Sequence, residues 1–284
     1  MLRQRIVTAL VLVAFLLGAL TLDSAWPFVV LTLVLIAAAG WEWARLNQAG
    51  DTLALAMGAA VAVAGAVALG GGWKDQAPAP LWWLVAVLWL VAGAFALRSG
   101  PAAWPQLPRA ARWVLGLLML WSAWLAIAHA RGVGINFLLS VLCLVWMADV
   151  AAYFGGRAWG RRKLAPSISP GKSWEGVWSG MVGVLFLSAL WMWIDGHFNV
   201  DGPSIYTRLW QAFGLIGMTV ALLALSGLSV VGDLIESLVK RAAGAKDSSQ
   251  LLPGHGGVLD RVDALLPVVP AAMALMTLVA STRP

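Results

Sequence analysis

Residues 134–154 read GINFLLSVLCLVWMADVAAYF, twenty-one positions that carry one charged side chain, Asp149, close to the C-terminal end. An α-helix of that length rises about 30 Å at 1.5 Å per residue, which is the thickness of a bilayer's hydrocarbon core. The run lacks the period-two alternation of a barrel strand, and lipid cannot satisfy the backbone of an open strand, so a spanning helix is the reading it allows. Comparable runs lie on both sides of it. Spans are expected near 6–22, 26–44, 52–72, 80–97, 111–129, 134–154, 174–194, 208–232 and 263–281. The fold class is therefore an all-α integral membrane protein with about nine transmembrane helices.

Composition agrees with this. The 284 residues are 61% apolar and 11% charged, with a mean hydropathy of +0.84, whereas soluble domains hold about a quarter charged residues. Cytoplasmic loops collect Lys and Arg. With the N-terminus inside and nine spans, fifteen of the nineteen basic residues fall inside; only Lys74, Arg131, Arg208 and Arg283 remain outside. The expected placement is a bacterial inner membrane, multi-pass, with a cytoplasmic N-terminus. Arg3 and Arg5 before an apolar run also suit a signal peptide, but the run is long for one. No small-x-small cleavage site follows it in residues 21–26, so it is read as an uncleaved anchor.

The net charge of +6 and a pI near 10 point to anionic membrane lipid rather than nucleic acid, because the excess lies on one side of the bilayer. One cysteine, Cys143, sits within a span, which excludes an intrachain disulfide or a cysteine-based metal site. The eighteen tryptophans and His129 at a span end are given no role. Gly58, Ala62 and Ala66 recur every fourth residue in the third span, a small-residue face that would let another helix, including one from a second copy in a homodimer, approach closely. No internal repeat is found. The chain is read as one polytopic domain, 1–284, with an N-terminal transmembrane region, 1–130, and a C-terminal catalytic region, 131–284, carrying cytosolic loops at 155–173 and 233–262.

Chemistry gathers in those two loops and the span ends beside them. Asp149 is an acid at membrane depth, costly enough to read as functional, with a pair to Arg157 as the alternative. Downstream, Ser169-Pro170-Gly171-Lys172-Ser173 sets hydroxyls, a flexible Gly and a cation before a helix start, a favourable setting for phosphate. The likeness to a P-loop is superficial. That motif needs Gly where Pro166 stands and a preceding β-strand, and both are missing. In the second loop Asp233, Glu236 and Lys240 fall on one face of a continuing helix, and Asp260 and Asp263 share another. Between them lie Lys246-Asp247 and Pro253-Gly254-His255-Gly256-Gly257. Mg²⁺ prefers a few carboxylates plus substrate phosphates, which suits Asp233 with Asp260 or Asp263. Lys240, Arg241, Lys246 and Arg261 would surround a leaving pyrophosphate, while Gly256 and Gly257 would let backbone N–H groups approach phosphate oxygens.

The run Ser237-Leu238-Val239-Lys240-Arg241, then Lys246-Asp247, Pro253-Gly254-His255-Gly256-Gly257 and Asp260-Arg261-Val262-Asp263 resembles the signature of the phosphatidate cytidylyltransferases, also called CDP-diglyceride synthetases. Asp149 with Ala152-Tyr153, Lys163-Leu164-Ala165-Pro166, Ile168 through Gly176 and Gly232-Asp233 extend the likeness; the N-terminal half matches only in being hydrophobic. Ser173 departs from the Thr found in many relatives but keeps the hydroxyl. The resemblance implies a membrane enzyme that joins CTP to phosphatidic acid and releases pyrophosphate at the cytosolic surface. It implies Mg²⁺ on Asp233, Asp260 and Asp263, with K⁺ as a second ion that family members can hold. Catalytic roles would fall to Asp233, Lys240, Arg241, Lys246, Asp247, His255, Asp260, Arg261 and Asp263. Substrate binding would fall to Asp149, Tyr153, Ser169, Lys172, Ser173, Glu175, Gly256 and Gly257, with Tyr153 and Trp174 available to stack on cytosine. The alternatives are a CTP-using polyprenol kinase and a secondary transporter. The signature disfavours the first, and the clustering of charge at one surface rather than the midplane disfavours the second. A CDP-alcohol phosphotransferase spaces its Asp residues differently.

Overall fold

The structure is a computed structural model that describes residues 2–282, with side chains at residues 8, 10, 11 and from 13 onward. Helix α1 runs Leu2–Leu20, α2 Trp26–Leu46, α3 Asp51–Gly70, and a single turn α4 Trp73–Gln76 leads to α5 Ala79–Ser99. A 3₁₀ turn at Trp104–Gln106 precedes α6 Arg109–Val133 and α7 Ile135–Trp159. Strands β1 Lys163–Ala165 and β2 Ser169–Ser173 follow, then α8 Trp174–His197, α9 Ile205–Ala242, the turn α10 Leu259–Val262 and α11 Leu265–Ser281. Among the described residues eight helical segments are long and apolar enough to cross a membrane: α2, α3, α5, α6, α7, α8, α9 and Leu259–Ser281. The first expected span, 6–22, falls on α1, several of whose side chains lie outside the described residues.

Two loops are shorter than the hydropathy pattern suggests. Helix α7 continues through Trp159, so the first loop begins five residues later than 155, and α9 continues to Ala242, so the second begins well after 233. Hydropathy marks where a helix leaves the apolar layer, but intrahelical hydrogen bonds do not stop there. The expectation of a helix continuing through Asp233, Glu236 and Lys240 is thereby met. A second departure is the β1–β2 hairpin, paired antiparallel with Lys163 opposite Ser173 and Ala165 opposite Ser169. A strand does precede Pro166, contrary to the sequence reading, yet it pairs back onto Ser169–Ser173 and so forms a hairpin rather than a phosphate loop. Pro166 and Pro170 deny this segment a helix, and buried Ile168 pins its turn to the core.

Helix α11 is the hub, packed against α5, α6, α7 and α9 with Val268, Val269, Ala272 and Ala274 buried. Its early Pro267 costs no helical hydrogen bond, because the first-turn N–H groups have no partner inside the helix. Two close helix crossings set the site. At Gly180 of α8 a β-carbon would lie 2.7 Å from the Ala148 carbonyl oxygen of α7. At Gly232 of α9 it would lie 2.5 Å from the Asp263 carbonyl oxygen and 2.8 Å from Pro267 Cδ. Within α9 the backbone breaks at Gly214, whose φ of 65° suits a residue without a β-carbon. Gly58, by contrast, is spent within the chain: its missing β-carbon faces the Ala37 carbonyl of α2 at 2.7 Å, and Ala66 of the same stripe is exposed.

Gly232→Ala is expected to lower the stability of the detergent-solubilised protein by about 1–3 kcal/mol through overpacking at this crossing, with a depressed thermal unfolding midpoint as the readout.

Candidate active site

Helices α7, α8 and α9 with the hairpin enclose a cavity of about 500 Å³. Its apolar wall is Ala148, Ala152, Val177, Gly180, Met181 and Val230; its polar wall is Asp149, Tyr153, Arg157, Ser169, Lys172, Ser173 and Asp233. Lys172 Nζ on β2 is ion-paired with Asp233 Oδ2 at the end of the α9 span. Asp149 lies within electrostatic reach of both. Asp263, at the entry to α11, lies within reach of Asp233, Lys172 and Asp149. Three carboxylates, from α7, α9 and the turn before α11, are thus arranged about one lysine. The alternative pair of Asp149 with Arg157 is absent among the described residues; the Arg157 guanidinium turns instead to the Tyr153 hydroxyl, at 3.4 Å.

A second charged group continues from the first. Glu236 is within electrostatic reach of Asp263, and Lys240 Nζ lies 2.6 Å from Glu236 Oε2 and 2.6 Å from Asp260 Oδ1. The three side chains are 2%, 12% and 6% exposed for Glu236, Lys240 and Asp260, so the lysine neutralises two buried acids. Asp260 Oδ2 accepts from Ser248 N at 2.9 Å and Gly257 N at 2.8 Å, and Ser248 Oγ lies 2.9 Å away with its one proton shared between Asp260 and the Glu42 carboxylate. Asp260 is therefore fully engaged by donors. Lys240 is held here too, rather than free for pyrophosphate.

Several other expected side chains serve the scaffold. Ser173 Oγ caps α8 by accepting from Gly176 N at 3.2 Å, and Glu175 accepts the backbone N–H groups of Arg161 and Arg162 at 3.1–3.3 Å. Arg241 donates to the Ile168 carbonyl at 3.4 Å and the Ala245 carbonyl at 3.2 Å, tying the hairpin to the second loop. Arg261 donates twice to the His255 carbonyl, at 3.1 and 2.6 Å. The His255 ring is half-buried, and its Nδ1 has no hydrogen-bond partner among the described residues. Lys246 and Asp247 are exposed. Gly257 gives its N–H to Asp260, so that group is not open to a phosphate; Gly256 adopts a φ of +81°, and a β-carbon there would meet Asp260 Oδ2 at 2.6 Å. These glycines wrap the turn around a carboxylate.

The sequence reading missed Glu42. It lies on α2, is fully buried, and accepts from Ser248 Oγ, Ser249 Oγ, Val258 N and Leu259 N. Thr8 Oγ1 of α1 donates to the Pro253 carbonyl at 3.0 Å. The only available signal was a lone acid in an apolar span; nothing in spacing connects it to a loop some two hundred residues away. Glu236 was seen as part of a helix face but given no role.

No group of three or more His, Cys, Asp or Glu side chains forms a ready-made metal cage among the described residues. Hard oxygen donors are nevertheless concentrated at Asp149, Asp233 and Asp263. Mg²⁺ requires only one or two carboxylates when a substrate brings phosphates.

Comparison with known proteins completes the picture. Residues 3–279 match the model of the cytidylyltransferase family. The chain is 36% identical over 290 residues to a phosphatidate cytidylyltransferase of Pseudomonas aeruginosa, covering 97% of each chain. It is 37% identical over 300 residues to one of Haemophilus influenzae, covering 95% of this chain and 96% of the relative. A Brucella melitensis protein of the same name is 35% identical over 291 residues, 98% of this chain and 92% of its own.

Lys240→Met is expected to destabilise the fold by about 3–5 kcal/mol, since it leaves Glu236 and Asp260 buried without their cation. Thermal unfolding of the purified variant in detergent checks this, and an unchanged midpoint would contradict the pairing.

Proposed function

The chain belongs to the cytidylyltransferase family, and from that membership we infer that it transfers the cytidylyl group of CTP to phosphatidic acid, yielding CDP-diacylglycerol and pyrophosphate. The observation that carries the reading, beside the likeness, is the cavity at the junction of α7, α8 and α9, where an apolar wall meets a polar one. A diacyl lipid with a phosphate head needs such a junction, and a polyprenol kinase or a transporter has no comparable support from the relatives. The alternatives are set aside.

In the transfer a phosphate oxygen of phosphatidic acid attacks the α-phosphorus of CTP, and the bond from that phosphorus to the bridging oxygen of pyrophosphate breaks. The attacking oxygen already bears charge at neutral pH, so the protein need supply neither a nucleophile nor a base. It supplies position and charge. Lys172 and Arg157 are the cations of the cavity wall, and Ser169 and Tyr153 are its hydroxyls. Lys172 now rests on Asp233; an arriving phosphate would compete for the same ammonium. Lys246, which is exposed beside the second loop, is the cation left over for pyrophosphate among the four expected.

Mg²⁺ would be held by Asp233 and Asp263, with Asp149 near, and would offset the charge that accumulates on the phosphates. Asp260 would join them only by giving up Lys240 from Oδ1. K⁺ as a second ion rests on the family resemblance alone. The active site is read at the cytosolic surface of a bacterial inner membrane, with the N-terminus inside, on the basis of the Lys and Arg distribution and the bacterial relatives.

Purified protein in detergent should convert CTP and phosphatidic acid to CDP-diacylglycerol and pyrophosphate only when Mg²⁺ is present. Asp233→Asn and Asp260→Asn should each lower kcat by about 100-fold or more, beyond what is usual for groups that merely support a ligand. Activity that survives Asp260→Asn in a folded protein would leave Asp233 and Asp263 as the metal pair. Orientation is checked separately on a Cys143→Ala background: cysteines introduced at Lys163 and Lys246 should react with an impermeant maleimide only from the cytoplasmic side, and one at Asp75 only from the opposite side.

A further inference from the structure

We propose that Glu42 is a positioning residue for the transfer, the group through which the N-terminal half of the chain sets the place of Asp260 and of the whole second loop; the proposal rests on the functional reading above. Glu42 sits in an apolar span, is 0% exposed, and has no ion-pair partner among the described residues. A buried carboxylate without a cation is tolerable only if hydrogen-bond donors fill its lone pairs, of which there are about four. Here Ser249 Oγ and Val258 N reach Oε1 at 2.5 and 3.0 Å, and Ser248 Oγ and Leu259 N reach Oε2 at 3.1 and 2.7 Å. The four donors come from two stretches, Ser248-Ser249 within the loop and Val258-Leu259 at its C-terminal end. Burying Glu42 and closing the loop are therefore one event.

The closure is transmitted to the charged groups. Ser248 bridges from Glu42 to Asp260, giving its backbone N–H to Asp260 Oδ2 at 2.9 Å, and Asp260 meets Lys240 at 2.6 Å. Gly257 lies inside the same knot. A β-carbon on it would come within 2.0 Å of Ser248 Oγ and 2.4 Å of Glu42 Oε1, which accounts for a glycine there without any phosphate contact. The carboxylate's requirement is for four acceptor positions, so an isosteric amide is the discriminating change: its NH₂ would face donors in place of an acceptor. Packing volume is preserved.

Glu42→Gln is expected to lower kcat about 10- to 100-fold, the usual range for partners that orient a ligand from behind, and Glu42→Asp to recover part of the loss. Hydrogen exchange followed by mass spectrometry supplies a readout independent of turnover: peptides covering 246–262 should exchange faster, and those covering α5 to α8 should not. Wild-type kcat in the folded variant overturns the proposal, as does exchange raised evenly through every helix, which would mark a general structural role. Should Glu42→Gln fail to fold, Ser249→Ala removes one donor of the four and should reproduce the local exchange change with a smaller drop in kcat; no change in either would overturn the proposal. Absence of CTP turnover in the wild-type protein would instead sink the functional reading, leaving the exchange pattern to judge Glu42.

Discussion

Five carboxylates and two lysines form one run of charge, Asp149, Lys172, Asp233, Asp263, Glu236, Lys240 and Asp260, at the end of a bundle built from apolar helices. Removing an ion from water costs several kcal/mol after relaxation, so such a run persists only where opposite charges and donors are held at contact distance. That requirement explains the rest of the architecture. Helix α9 must continue as a helix beyond its apolar stretch, because Asp233, Glu236 and Lys240 face their partners only at helical spacing. Helix α11 must enter beside it at Gly232, because no larger residue would let the Asp263 backbone come so close.

The two lysines divide the labour unequally. Lys172 and its partner Asp233 are each about a quarter exposed and face a cavity, so their pair can open toward an incoming anion at modest cost. Lys240 lies between two buried acids and has little to gain by leaving them. The site therefore holds one movable cation and one fixed one. This difference in burial, more than the count of basic residues, distinguishes the two lysines.

Spans were legible because apolar length is a physical demand of the bilayer, and the helical boundaries on the site side shifted by up to ten residues because backbone hydrogen bonding outlasts hydropathy. Asp149, Lys172 and Asp233 were legible as costly or clustered charges. Ser173, Glu175, Arg241 and Arg261 were read as site residues, and the structure gives them capping and tethering bonds that their chemistry equally allows. The hairpin was not legible: its strands are three and five residues long, with Pro170 inside the second and Pro166 in the turn between them. Glu42 was hidden for a different reason. Its partners are two serines and two backbone N–H groups, none of which leaves a mark in composition or charge.

The N-terminal half, which the family match includes from residue 3 onward, consequently has more to do than fill the membrane. Thr8 reaches the Pro253 carbonyl from α1, and Glu42 binds the middle and the C-terminal end of the second loop from α2. Besides these anchors from α1 and α2, the loop is held by Lys240 through Asp260, by Arg241 through the hairpin and by its own glycine turn. The cost of burying an acid is thereby turned into a constraint on loop geometry, since the acid is satisfied only when the loop is closed. Divergent hydrophobic sequence can carry such an anchor with little visible trace, because a single acceptor at the right depth suffices.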